Sequence, residues 1–146
     1  MTDRTVYESI SRPRLVTTTP ESTVFQAACI MARARSGSVL ILDEAGGPAG
    51  IFSVRDLLTK VVAKSLDPAT TPVSAVMTRN PIGVPPKTTV CDAILLMKER
   101  RFRHLPVVAA SGKVVGMFSF RDASPREIID ADDMAAHLDE VTDVLA

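Results

Sequence analysis

The chain is 146 residues long, a natural size for one domain, and 46% of it is apolar, enough for a substantial core. Its 17 basic and 17 acidic residues cancel, which argues against a surface built mainly to hold nucleic acid. No apolar run approaches the roughly 20 residues of a bilayer span, and the opening MTDRTVYESISRPR has no apolar segment between its charges, so neither a membrane helix nor a secretory signal is expected.

In chain order, a short extended piece is expected around Leu15–Thr18. Thr23 then reads as an N-cap, with Gln26 placed to close a capping box, and Val24, Ala27, Ala28 and Met31 recur at helical spacing. Val39–Leu42 is a short apolar run that reads as a buried strand. The turn Ala45-Gly46-Gly47 leads to a second strand ending at Phe52, and a helix opens at Ser53 and runs to about Lys64. Asp67–Pro72 is a linker, followed by a short turn of helix at Ser74–Met77.

The series then returns. An extended piece falls at Ile82–Val84, an N-cap at Thr89 with Asp92 as a weaker box partner, and a helix at Val90, Ala93, Ile94 and Met97. Leu105–Val108 is the buried strand, Ser111-Gly112 the turn, and Phe118 ends the second strand. The last helix is delayed, because Ser124-Pro125 makes a fresh N-cap with proline at the first helical position.

Residues 20–57 and 86–123 align without a gap, and twelve of the 38 positions are identical, among them Arg35/Arg101, Gly50/Gly116, Phe52/Phe118, Ser53/Ser119, Arg55/Arg121 and Asp56/Asp122. The chain is thus a duplication of a β-α-β-β-α unit, an α/β (α+β) fold. One unit of about 60 residues buries too little surface to be comfortable alone, so the two are expected to pack sheet to sheet about a pseudo-twofold axis, with two related clefts between them. The expected organisation is repeat 1 at 8–66, linker and short helix at 67–78, repeat 2 at 79–125 and a helical tail at 126–146.

The matched segments Gly50–Asp56 and Gly116–Asp122 share the pattern Gly-h-h-Ser-x-x-Asp, where h is apolar. Glycine permits close backbone approach, a strand delivers a hydroxyl, and an acid follows at a helix start. Hydroxyl and free backbone N–H groups there suit phosphate, and an aspartate suits ribose hydroxyls. Ser-x-x-Asp is equally a capping motif, and a lone copy would more often be only that. Two copies, each after a strand and at equal places in the repeat, favour a site.

With His104-Leu105-Pro106-Val107-Val108 and Val76–Pro81 before it, this doubled motif resembles the cystathionine-β-synthase (CBS) repeat family over roughly residues 10–125. The resemblance implies a Bateman module whose clefts take AMP, ADP, ATP, NAD or S-adenosylmethionine. By position, Ser53, Asp56, Ser119 and Asp122 would contact phosphate and ribose. Ile82 and Val84, with Val16 and Thr18 in the first copy, would border the adenine, and Arg103 and His104 would point at phosphates. The first copy departs from the pattern: Gly37 and Ser38 stand where the second has Arg103 and His104, and Leu40 stands for Pro106. Two unequal sites are therefore expected, with groups borrowed across the pseudo-twofold.

Arg55 and Arg121 read either as solvated charges or as contacts to a polyphosphate. Lys98–Arg101 suits a helix C-terminus on macrodipole grounds. In the tail, Met134, Leu138, Val141 and Leu145 share a helical face, which either packs on its own domain or meets a partner. Cys29 and Cys91 sit in apolar helical patterns, with buried free thiols expected. No nucleophile elbow, Walker loop or metal-ligand cluster is present in the sequence. The expectation is a cytoplasmic, homodimeric, non-enzymatic sensor of an adenine nucleotide that acts on a regulated partner protein, without nucleic acid, membrane or metal. The alternative is a structural dimerisation module with vestigial clefts.

Overall fold

Thr23 Oγ1 accepts the Gln26 amide at 3.1 Å and Gln26 Oε1 accepts the Thr23 amide at 2.9 Å, closing the box that starts the first long helix. The computed structural model describes residues 4–10 and 15–145, with side chains described as far as Leu138. In order, its elements are α1 (Val6–Ser9), β1 (Thr17–Thr18), α2 (Val24–Ala34), β2 (Ser38–Leu42), β3 (Pro48–Ser53) and α3 (Val54–Asp56). A π-helical segment (Leu57–Val62) continues α3, and a 3-10 turn (Val73–Ala75) precedes β4 (Thr78–Arg79). Then come α4 (Val90–Arg100), β5 (His104–Val108), β6 (Val114–Ser119), a 3-10 turn (Phe120–Asp122) and α5 (Pro125–Leu145).

Repeat 1 forms a four-stranded sheet in the order β1-β2-β3-β4, with β1 parallel to β2 and the other pairs antiparallel. In repeat 2, β5 and β6 form the matching hairpin, and Val84 bridges Val107 in parallel where β1 pairs with β2 in the first copy. The turn glycines Gly46 and Gly112 have φ of 83° and 90°, the left-handed conformation that a tight hairpin turn requires. The fold is the α/β duplication expected. Ser124 caps α5 with Glu127, and Pro125 occupies its first position.

Two hydrophobic cores result. Val24, Met31, Val39, Ile41 and Phe52 anchor the first, and Val90, Ile94, Met97, Leu105 and Phe118 the second. Each core is sealed by a segment from the other end of the pattern. The turn before β4 falls in the sequence between the two repeats, yet Val73 is fully buried in the core of repeat 1, and its amide donates to Ser22 O at 2.7 Å. Reciprocally, Val6 of α1 is fully buried in the core of repeat 2, its amide donating to Thr88 O at 2.8 Å, while Val90 N donates to Arg4 O at 2.9 Å. Residues 67–72 also bond to repeat 1, Val24 N donating to Thr71 O at 2.9 Å and Phe25 N to Pro68 O at 3.0 Å. The two glycines of the motif show the same exchange: a Cβ on Gly50 would lie 2.5 Å from Met77 Sδ, and one on Gly116 would strike Ile10 Cδ1.

The tail helix packs on α4 through Ala131, which is fully buried, and Ile128, with an ion pair between Lys98 and Asp132. Ile129, Met134 and Leu138 remain exposed; Val141 and Leu145 fall outside the described side chains. Cys29 and Cys91 are half-buried rather than buried: Cys91 packs at the edge of the second core, whereas Cys29 lies across α2 from the buried Val24, Ala27 and Met31. No described helix is long and apolar enough to cross a membrane.

Candidate functional site

The Ser-x-x-Asp motif makes a capping turn in both repeats, but the two acids meet different surroundings. In repeat 1, Asp56 Oδ2 accepts the Ser53 amide at 3.0 Å and the Ser53 hydroxyl at 3.2 Å, and Ser53 Oγ accepts the Asp56 amide at 3.2 Å. Asp56 Oδ1 faces the Lys60 ammonium at 3.1 Å and the Thr78 hydroxyl at 3.5 Å. Asp56 is 7% exposed, and the fold occupies both of its oxygens.

In repeat 2, Asp122 Oδ2 accepts the Ser119 amide at 2.8 Å, and Ser119 Oγ accepts the Arg121 amide at 3.3 Å. No lysine stands four residues on; Arg126 pairs instead with Asp130 at 3.3 Å. Arg4 Nη2 donates to the Asp122 carbonyl at 2.8 Å, and the same guanidinium grips Glu127 through two N–H groups, at 2.7 and 3.2 Å. This ion pair raises the Arg4 pKa and lowers that of Glu127.

Strand register builds the rest of the site. His104 sits opposite Ser119 across β5 and β6, as Ser38 sits opposite Ser53 across β2 and β3. The start of β5 and the Ser119 turn of repeat 2 meet Gly37 and Val54 of repeat 1 at a cavity of about 550 Å³ between the repeats. Ala28, Met31 and Ala32 of α2, with Val54 and Leu57, give it an apolar wall from repeat 1. Ser119, Phe120, Arg103, His104 and Arg121 face them from repeat 2. Arg35, Ser36 and Gly37, at the exit of α2, complete the rim.

Of the residues singled out in the sequence, Arg103, His104, Ser119 and Arg121 share this cavity. Asp122 lies one residue beyond the lining and holds the Ser119 turn. Val84 is buried in the core of repeat 2, exchanging backbone bonds with Pro106 and Val108, while Ile82 is half-buried; neither lines the cavity. Val16 packs against the core of repeat 1, the Thr18 hydroxyl pairs with that of Ser22 at 2.6 Å, and Arg55 points to solvent. These three, with Ser53 and Asp56, lie outside the lining. Arg35 was passed over, although its identity with Arg101 is visible in the repeat alignment. Among the described residues no cluster of His, Cys, Asp and Glu could hold a metal ion.

Burial pushes the His104 pKa down, and the charges of Arg121 and Arg103 act in the same direction, against an opposing pull from Asp122. Its folded-state value lies below the unfolded one, so the unfolded chain takes up this proton first as the pH falls. The His104 contribution to stability is present above the unfolded value of about 6.5 and is lost as the pH falls from there through the depressed folded value. Urea midpoints measured at about pH 7.5 and about pH 5.5 should separate less in His104→Gln than in the parent. An equal separation would show that other groups carry the dependence.

A family model described as CBS domain matches residues 6–63 and 73–124. A CBS domain-containing protein of Arabidopsis thaliana is 40% identical over 118 residues, which cover 79% of this chain and 21% of the plant protein. The chain therefore spans about a fifth of the length of that relative. A solved CBS domain protein from Pyrobaculum aerophilum, complexed with AMP, is 27% identical, with 88% of this chain and 98% of that one covered and a TM-score of 0.79. A CBS domain pair solved with 5′-methylthioadenosine and S-adenosyl-L-methionine is 25% identical, covering 83% of this chain and 93% of that one, with a TM-score of 0.74. Two matched copies, an internal duplication and the doubled Gly-h-h-Ser-x-x-Asp turn agree: this chain belongs to the CBS domain family and carries two CBS repeats in tandem.

Proposed function

We propose that this CBS pair is a cytoplasmic, homodimeric regulatory module. It binds an adenine nucleotide (AMP, ADP, ATP or NAD) between its repeats, catalyses nothing itself, and passes the bound state to a partner protein. The observation that carries this reading is the inter-repeat cavity, where an apolar wall from α2 faces the Ser119 turn, the Arg103 and Arg121 guanidiniums and the His104 imidazole of repeat 2. The apolar wall suits a base and the cations suit phosphate, so one amphipathic ligand satisfies both. AMP in the Pyrobaculum relative and adenosyl compounds in the second solved pair support the ligand class. Ligand contacts shared between repeats would shift their relative packing, which is the change a partner would read.

Calorimetric titration with AMP, ADP, ATP, NAD and S-adenosylmethionine tests this. At least one should bind, and Asp122→Ala should weaken it by about 1–3 kcal/mol through loss of charged hydrogen bonds to ribose or of the Ser119 turn. Unchanged affinity in a folded variant would reduce Asp122 to a helix cap.

The second reading, a structural dimerisation module, draws support from exposed apolar side chains. Val54, Leu58 and Val62 recur every fourth residue and are 56%, 61% and 63% exposed. Flat titrations combined with a stable dimer in sedimentation would favour it.

A further inference from the structure

We infer that the cavity selects a ligand bearing a di- or triphosphate chain, and that Arg35 is the specificity-determining cation, supplied by repeat 1 to a cleft whose other basic groups come from repeat 2. The inference rests on the inter-repeat cavity being the ligand site, and it deepens that reading.

Four basic side chains line this cavity (Arg35, Arg103, His104 and Arg121), and no carboxylate does. Four cations outside the cavity have carboxylate partners: Arg4 with Glu127, Lys60 with Asp56, Lys98 with Asp132 and Arg126 with Asp130. Among the described residues Arg35, Arg103 and Arg121 have no such partner, so the cavity concentrates three unneutralised guanidiniums. Like charges brought together repel, and they are matched only by an anion of comparable charge. One phosphate would leave most of that charge unanswered; a polyphosphate chain answers it through forked N–H contacts.

Arg35 ends α2 with φ of 52°, in the left-handed region where glycine or asparagine is cheaper. A cation at a helix C-terminus is favoured by the macrodipole, and that alone would explain it. Arg101, its counterpart at the end of α4, has the same conformation with φ of 59° but does not line the cavity. The cap is thus common to both repeats, whereas the position facing Arg103 and Arg121 is peculiar to Arg35. The sulfonium and ammonium groups of S-adenosylmethionine would meet the same guanidiniums with the wrong sign.

The test measures affinities of inorganic tripolyphosphate, ATP, AMP, adenosine and S-adenosylmethionine for the intact chain and for Arg35→Gln and Arg35→Lys, with melting curves to confirm folding. ATP should bind at least about tenfold more tightly than AMP, and Arg35→Gln should weaken ATP about tenfold while moving AMP less than about twofold. Arg35→Lys should recover part of the loss. Equal affinities for ATP and AMP, or an ATP-to-AMP ratio untouched by Arg35→Gln, would overturn the proposal and leave adenine binding standing. Tripolyphosphate binding as tightly as ATP, with loss in Arg35→Gln, would uphold it and sink the adenine reading. No binding by any of the five would overturn both.

Discussion

Phe118→Ala should lower the free energy of unfolding by about 3–5 kcal/mol, the cost of removing a buried phenyl ring and leaving its cavity. Phe118 is fully buried among Val84, Val90, Ile94, Met97 and Leu105, at the end of the strand that delivers Ser119. The loss should appear as a lower denaturant midpoint with little change in slope, because the change lies in the folded core. Phe52→Ala should do the same for repeat 1, where Phe52 is equally buried one residue before Ser53. A cost below about 1 kcal/mol for Phe118→Ala would mean that the second core collapses around the gap. The Phe118 variant should also loosen ligand binding, since the Ser119 turn follows directly from the strand that the ring holds down.

The second large effect concerns a helix of four residues. Val6→Asp should destabilise the protein by several kcal/mol, since it places a carboxylate with no counter-charge in a fully buried site. The damage should fall first on repeat 2, where Val6 packs, although α1 precedes repeat 1 in the chain. Amide hydrogen exchange would read this directly. Protection over Val90–Met97 should drop well before protection over Val24–Met31. Simultaneous loss in both helices would show that the repeats unfold only together; loss in α2 alone would contradict the placement of α1. Val73→Asp is the mirror experiment, with the opposite expectation for the two helices.

Most of the fold was legible because its signals are local. The Thr23 and Gln26 box, the Thr89 cap, the two hairpin turns and the Ser124-Pro125 start of α5 each depend on residues within a few positions of one another. What could not be read is set by packing. The turn at Val73 and the helix at Val6 are too short to show a period, and only the finished fold places each in the core of the other repeat. The π-helical segment over Leu57–Val62 has no residue signature either, and it brings Leu57 to the cavity wall.

The candidate site divides along the same line. Ser119, Arg103, His104 and Arg121 were accessible because the motif and the strand start fix where they stand. Asp56 and Asp122 look alike in the alignment, yet Lys60 faces the first from four residues on, a spacing that is visible in the sequence. Arg35 and Arg101 are also alike in sequence, and only the folded structure shows that Arg35 lines the cavity and Arg101 does not. Val84, which the resemblance sets beside the adenine, is buried in the core of repeat 2, and its backbone bonds to Pro106 and Val108 depend on a pairing that no local pattern shows.

The reciprocal placement of Val6 and Val73 bears on how such a chain can be divided. A cut within 67–72 would yield two pieces, each lacking the plug for its own core and carrying the plug that the other needs. Neither half is a complete folding unit, and the two would have to re-form as a complementing pair. In this chain the doublet, not the single repeat, is therefore the unit that holds both cores together with the residues that seal them.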